Sequence, residues 1–342
     1  MSDTSLLLLQ LFGGVIFLGF GAELIVRSAV NLSNIYKISG YFIGFTLVAL
    51  GTSLPEFAAT LQALLGEADS VGIALGNIIG SNIANILLIL GVVAWIYPIV
   101  FPDMKKQNKQ AQIVVGITIG IVFFFLVLAK FKIPVIVIAT SGALFMCLVV
   151  MFLFIQFAQE RKNSSYKENH EDTFSQSKSY VLLIIGLVLL IYGSRYFIIG
   201  AKQAAIEFGI SESIIGLTLV SFGTSLPELA TGIVSAVKKQ TGIAVGTILG
   251  SNIYNILGVF GVILLVRPGG FPIQEVGSIF SNPLVISIFF MAFVTMLFYW
   301  KIRFGINLGF LKFKANQLGR NSGRVFIAFY IIYTVINYYY LN

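Results

Sequence analysis

Gly51-Thr52-Ser53-Leu54-Pro55-Glu56 lies inside a long apolar run, and the same six residues return as Gly223-Thr224-Ser225-Leu226-Pro227-Glu228. Each copy puts a carboxylate and a proline where hydrocarbon is expected. An ionisable group at membrane depth costs roughly 2.5 to 3.5 kcal/mol on insertion scales, so it is kept mostly where it faces a cavity and holds something. Proline removes a backbone N–H and pushes against the carbonyl one turn earlier. In a membrane, backbone broken in this way survives only where protein or a water-filled cavity satisfies the freed groups. Two copies of one acidic, oxygen-rich break suggest a single site built from two halves, and the natural guest is a hard cation.

The rest of the chain supplies the membrane. Of its 342 residues 57% are hydrophobic and 11% charged, with a mean hydropathy of +0.94, far from the composition of soluble domains. A span needs about 20 apolar residues. That length predicts an all-α membrane protein of ten spans, at 5–30, 41–66, 71–97, 111–130 and 133–158, then 179–206, 211–237, 242–266, 282–300 and 324–341. The first apolar run is too long for a cleaved signal and reads as the first span. Between the two fives, 159–178 is a polar linker, and His170 with its acidic neighbours reads as solvated chain rather than a metal site.

The net charge of +8 could indicate nucleic acid, but the basic residues sit in the gaps between spans and form no basic face. Of the 22 Lys and Arg, all but Lys130, Lys132, Arg195, Lys202 and Arg267 fall on one side. By the positive-inside rule that side is cytoplasmic, with the linker inside and both termini outside the cell membrane.

The two fives repeat. In register, Gly21, Gly44 and Gly51 to Glu56 fall on Gly193, Gly216 and Gly223 to Glu228. After a two-residue contraction, Gly76, Gly80, Ser81, Asn82, Ile83 and Asn85 fall on Gly246, Gly250, Ser251, Asn252, Ile253 and Asn255. Each half has an odd number of spans, so the second copy enters the membrane upside down. The expected organisation is therefore two inverted five-helix repeats, 1–158 and 179–342, around the linker 159–178. Such repeats in secondary transporters carry ion sites on discontinuous helices near the midplane.

Helical spacing aligns polar groups on these spans. Ala49, Thr52 or Ser53, and Glu56 share one face, as do Ser221, Thr224 or Ser225, and Glu228; Asn77, Ser81 and Asn85 are answered by Thr247, Ser251 and Asn255. Gly76 and Gly80, and likewise Gly246 and Gly250, form small-residue pairs that let helices approach closely. Carboxylates, hydroxyls, amides and freed carbonyls are hard donors, which disfavours zinc, copper and iron. Calcium fits them best, since it takes 6 to 8 oxygens in flexible geometry whereas magnesium demands a strict octahedron. Sodium uses the same oxygens. Two carboxylates are balanced by one divalent ion, by monovalent ions or by protons, so acid should compete with the cations. Exclusive occupancy of that kind is the physical core of exchange.

At these residues the sequence resembles the calcium/cation antiporter superfamily, most closely its prokaryotic sodium/calcium exchanger branch. The likeness covers both halves and rests on the duplicated G-T-S-L-P-E and G-S-N-I-x-N motifs. It implies a sodium/calcium exchanger-like fold, with the second, third, seventh and eighth spans as ion core and the first and sixth as a sliding gate. It also implies that calcium is held by the carboxylates of Glu56 and Glu228 with the carbonyls of Thr52 and Thr224. An outer sodium site would use Glu56, Ser81, Ser225 and the Ser221 carbonyl. An inner one would use Glu228, Ser53, Ser251 and the Ala49 carbonyl, with Asn85 and Asn255 completing the middle. Asn255 stands where potassium-dependent relatives have Asp, so potassium coupling is not expected, and Ser221 stands where alanine is common.

The resemblance implies antiport of sodium against calcium by alternating access, with no enzymatic step and no cofactor. A proton/calcium exchanger using the same glutamates is the alternative. A channel or a membrane receptor is a rival of another class, but a channel would build its pore from symmetric subunits and a receptor would need an extramembrane domain. The expected partners are the lipid bilayer and the two ions, with no nucleic acid and no obligatory protein partner. Among the remaining residues, Cys147 is expected to be a buried, inert thiol. Glu23 and Arg27 should pair one turn apart, and 301–324 should anchor to anionic lipid of the inner leaflet.

Overall fold

The computed structural model describes residues 3–66, 71–100, 104–131, 133–162, 174–207, 222–270, 283–308, 311–313, 315 and 317–341. In chain order the elements are α1 (Asp3–Tyr36), α2 (Gly40–Ile43), a π-helical turn (Gly44–Val48), α3 (Ala49–Thr52), α4 (Leu54–Leu65) and α5 (Val71–Ala84). A second π turn (Asn85–Ile89) leads into α6 (Leu90–Ile96), β1 (Ile99–Val100), α7 (Met104–Lys130), α8 (Val135–Lys162) and α9 (Gln176–Glu207). Then come α10 (Leu226–Val237), α11 (Thr241–Ile253), a third π turn (Tyr254–Val259), α12 (Phe260–Val266), α13 (Pro283–Phe304), β2 (Ile306–Leu308), β3 (Leu311–Phe313), β4 (Gln317–Leu318) and α14 (Arg320–Leu341).

The chain is helical and multi-pass. Among the described residues eight stretches are long and apolar enough to cross a membrane: Ser5–Tyr36, Gly40–Leu65, Val71–Ile96, Ala111–Leu128, Val135–Glu160, Gln176–Glu207, Thr241–Val266 and Leu284–Phe304. The sequence predicts ten. Of the other two, 211–237 is described only from residue 222 and contains the short apolar helix Leu226–Val237. The span at 324–341 is part of α14, a 22-residue helix that carries Arg320 and Arg324 at its start and is not among the eight. Of the linker 159–178, residues 163–173 with His170 lie outside the described residues, as does Ser221, while 159–162 continue α8 and 176–178 begin α9.

The chain forms two compact units, each drawing on both halves of the sequence. The first comprises Met1–Pro55 and Gln156–Gly250. In it α1 and α9 run antiparallel at near-backbone contact. A Cβ added to Gly21 would lie 2.8 Å from the Gly186 carbonyl oxygen, one on Gly186 2.8 Å from that of Gly21, and one on Gly193 2.9 Å from the Leu18 nitrogen. Ala22, Ile25, Val26 and Ala29 of α1 share an apolar core with Leu183, Leu190, Leu226 and Ile243. Hydrogen bonds tie one end of the pair, where Asn31 Nδ2 donates to Ser179 Oγ and to the Phe174 carbonyl, both at 2.7 Å. Beyond them the Tyr36 and Tyr180 hydroxyls meet at 2.8 Å. Helix α1 closes with Lys37 in the left-handed region (φ 53°) and Ile38 N–H bonded back to the Ser33 carbonyl. Lys239 ends α10 in the same way (φ 61°), with Gln240 N–H on the Ser235 carbonyl, which satisfies carbonyls that a helix end otherwise leaves open.

The small-residue face of α11 behaves as its spacing predicts, since a Cβ at Gly246 or Gly250 would strike the backbone of Tyr41 or Phe45. At Gly76 an added Cβ meets nothing among the described residues. Glu23 pairs with Arg27 at 2.5 Å as expected, and it also takes Lys238 Nζ at 2.8 Å, a partner the sequence did not indicate.

The second unit comprises Glu56–Ile155 and Ser251–Asn342. Here Gly91 faces Gly323 where α6 meets α14, and Gly142 faces Gly261 where α8 meets α12. Phe124, Phe125, Phe145 and Phe260 form an aromatic cluster with centroids 5.3 to 6.0 Å apart. Arg267 Nε donates to the Leu64 carbonyl at 3.1 Å and caps the C-terminal end of α4. β1 pairs antiparallel with β4, Ile99 opposite Leu318, and β2 with β3.

Two expectations are corrected. Cys147 is exposed on α8; hydropathy cannot separate a lipid-facing thiol from a core one, because both stand among apolar residues. Lys301 is 1% exposed and donates to the Gln317 carbonyl at 2.8 Å, so it holds the returning β4 segment instead of meeting lipid. Arg303, Arg320 and Arg324 of the same basic stretch are exposed.

Candidate ion-binding site

Each repeated hexapeptide breaks its helix at the serine. Ser53 (φ −81°, ψ 0°) separates α3 from α4, and Ser225 (φ −88°, ψ 4°) precedes α10. Both sit in the sparsely populated bridge region of backbone space. In an unbroken helix the carbonyls of Gly51 and Gly223 would take bonds from residues 55 and 227, which are prolines and have no N–H to give. The turn before Ser53 holds, with Ser53 N–H on the Ala49 carbonyl at 3.0 Å and Thr52 Oγ1 3.3 Å from the same oxygen. After the second break the Thr231 hydroxyl lies 2.9 Å from the Pro227 carbonyl and 3.0 Å from that of Glu228.

The polar residues around the breaks are out of solvent. Glu56 and Glu228 are both 0% exposed. Ala49, Thr52, Ser53, Ser81, Asn85, Thr224, Ser225, Ser251 and Asn255 are buried too. Three of the neutral groups are orphaned: Ser53 Oγ, Asn85 Oδ1 and Asn255 Oδ1 are buried without a hydrogen-bond partner. A buried oxygen left in that state costs about 1–3 kcal/mol, and an oxygen without a proton donor is what a cation uses.

In the second unit these residues join into a network. Ser81 Oγ donates to Glu56 Oε1 at 3.0 Å and accepts from Asn255 Nδ2 at 3.4 Å. Asn77 Nδ2 reaches the Glu56 carbonyl at 3.3 Å and Thr60 Oγ1 at 3.4 Å. Asn85 Nδ2 donates to Asn252 Oδ1 at 2.9 Å. Glu56, Ser81 and Asn255 are thus brought together from α4, α5 and the third π turn, while Asn85, at the start of the second π turn, is bonded to Asn252. π turns interrupt the regular ladder and recur at functional sites. In the first unit Ala49, Thr52 and Ser53 surround one break, and Thr224, Ser225 and Glu228 line the other. Among the described residues no group of three or more His, Cys, Asp or Glu side chains is placed to hold a metal ion.

A family model described as sodium/calcium exchanger protein matches residues 6–158 and 178–339. The chain belongs to the sodium/calcium exchanger family. Its members are transporters and antiporters rather than catalysts, so the chain is a multi-pass membrane protein of a cation-antiporting family. It is 33% identical over 264 residues to the putative antiporter CaxA of Alkalimonas amylolytica, covering 75% of this chain and 79% of that one. It is 29% identical over 369 residues to the sodium/calcium exchanger MaX1 of Methanosarcina acetivorans, covering 95% and 97%. Among solved structures it matches the sodium-calcium exchanger NCX_Mj with a TM-score of 0.74 at 29% identity, over 96% of this chain and 97% of that one.

Asn252 and Thr60 are the site residues that sequence reasoning left out. Asn252 lay in the quoted repeat, and Thr60 stands one helical turn after Glu56.

Proposed function

We propose that this exchanger-family chain moves calcium against sodium across the cell membrane by alternating access. One observation carries the reading: Glu56 and Glu228 are both fully buried within apolar helices, each just after the same helix break. A carboxylate so placed needs a compensating charge. One calcium or two or more sodium ions can supply it to the pair, and the two kinds of ion exclude each other.

In this reading calcium is held by the carboxylates of Glu56 and Glu228 and the carbonyls of Thr52 and Thr224. Sodium uses Glu56, Ser81, Ser225 and the Ser221 carbonyl on the outer side, and Glu228, Ser53, Ser251 and the Ala49 carbonyl on the inner side. Asn85 and Asn255 lie between. The chain is organised as ten spans in two inverted halves, 1–158 and 179–342, with the linker 159–178 cytoplasmic and both termini outside. Support comes from the family, from MaX1, named as a sodium/calcium exchanger, and from NCX_Mj, described as a sodium-calcium exchanger soaked with sodium and calcium. Protons are the alternative counter-ion, because they neutralise the same carboxylates.

Calcium uptake by everted vesicles tests the choice. Uptake should follow an imposed sodium gradient at constant pH. Uptake that ignores sodium and follows a pH gradient transfers the assignment to proton coupling.

A further inference from the structure

The two G-S-N-I-x-N motifs touch each other within the second unit, and they do so unequally. Asn85 of the first motif donates to Asn252 Oδ1 of the second at 2.9 Å. The repeat pairs Asn85 with Asn255 and Asn252 with Asn82, so the equivalent bond runs from Asn255 Nδ2 to Asn82 Oδ1. That bond is not made. Asn255 Nδ2 is turned to Ser81 Oγ at 3.4 Å, and Asn82 Nδ2 donates to its own helix at the Ile78 carbonyl, 3.0 Å away. Asn82 is 1% exposed, and its Oδ1 has no hydrogen-bond partner. One motif therefore fills its acceptor and the other leaves the matching acceptor empty, although the side chains are the same.

We infer that the four asparagines form a two-position latch in which Asn252 and Asn82 alternate as acceptor. In the arrangement present, Asn85 is bonded to Asn252 and Asn255 to Ser81. In the mirror arrangement Asn255 is bonded to Asn82, and Asn85 to Ser251. Each arrangement belongs to one access state, so the inference rests on the inverted-repeat reading of the proposed function.

The latch acts on the carboxylate through Ser81. That hydroxyl accepts from Asn255 and donates to Glu56 Oε1 at 3.0 Å, so Asn255 helps to keep the serine proton aimed at the glutamate. When Asn255 moves to Asn82, Ser81 loses this constraint and can turn a lone pair toward an ion. Asn82 and Asn252 are positioning residues and touch no ion. The π turns Asn85–Ile89 and Tyr254–Val259 contain the two donors, and their irregular ladder lets an amide swing without unwinding a regular helix.

The test uses the full chain in right-side-out and everted membrane vesicles, with half-saturating calcium measured at each face. Asn252→Ala removes the acceptor of the present state and Asn82→Ala that of the mirror state. The ratio of outer to inner half-saturation should shift in opposite directions in the two variants, by roughly 2- to 10-fold, as expected for one net hydrogen bond. The double variant should return the ratio toward that of the unaltered chain. Asn252→Ser and Asn82→Ser, which are too short to complete the bond, replace the alanine variants if those do not fold. Shifts in the same direction, or no shift while the unaltered chain exchanges calcium for sodium, overturn the latch and leave the proposed function standing. If the unaltered chain shows no sodium-driven calcium flux, both fall.

Discussion

Two helix interfaces join opposite halves of this chain, and they are made of different material. Between α1 and α9 the contact is shape: Gly21 and Gly186 face each other so closely that a Cβ on either would come within 2.8 Å of the other's carbonyl oxygen. Between the two asparagine motifs it is direction, a set of amides and one hydroxyl with donors and acceptors that can be paired in more than one way. Glycine contacts admit one close packing and bind two helices into a single body. Amide contacts hold position as firmly in a second pairing, provided the acceptors exist, and Asn82 Oδ1 is one such acceptor. In the proposed exchange cycle the first kind keeps pieces intact and the second lets them change partners.

The largest expected loss lies at the carboxylate that the amide interface feeds. Glu56→Gln keeps the shape and removes the charge that the ions must balance, so sodium-driven calcium flux should fall to background while the melting temperature in detergent stays within a few degrees. Ser81→Ala is next. It deletes the donor to Glu56 and the acceptor for Asn255, and a hydrogen bond to a charged group is worth about 1.5–3 kcal/mol, so half-saturating calcium should rise roughly tenfold or more in a flux titration.

The glycine interface should fail in stability rather than affinity. Gly21→Leu overpacks α1 against α9 and should cost about 1–3 kcal/mol, seen as a lower melting temperature. Gly19→Leu on the same helix, where an added Cβ meets nothing within 4 Å, should leave it unchanged; equal losses in both would show that the close approach is not what holds the pair. The smallest effect belongs to Glu23→Gln. The partly exposed pair with Lys238 is worth about 0.2–1 kcal/mol, and its contribution to melting should shrink as salt is raised.

Much of this was legible in the sequence for a physical reason. A proline and a carboxylate in hydrocarbon are costly enough that Pro55 with Glu56, and Pro227 with Glu228, announce themselves, and both breaks occur where the prolines forbid a hydrogen bond. The polar stripe of Ser81 and Asn85 followed from helical spacing alone. Contacts between elements distant in the chain were not legible. Lys238 reaching Glu23, Lys301 folding inward to Gln317 and Cys147 facing outward depend on which side of a uniformly apolar helix meets its neighbour, and hydropathy carries no such signal. The pairing of Asn85 with Asn252 was hidden in another way: the motif named the residues, but the inequality between its two copies exists only in three dimensions.

The central claim is that Glu56 and Glu228 together hold the exchanged ions. Its most direct test is 45Ca uptake into proteoliposomes under an outward sodium gradient at fixed pH, comparing the unaltered chain with Glu228→Gln. The account predicts strong uptake in the first and background uptake in the second, with the variant still folded. Robust sodium-driven uptake in Glu228→Gln would contradict it.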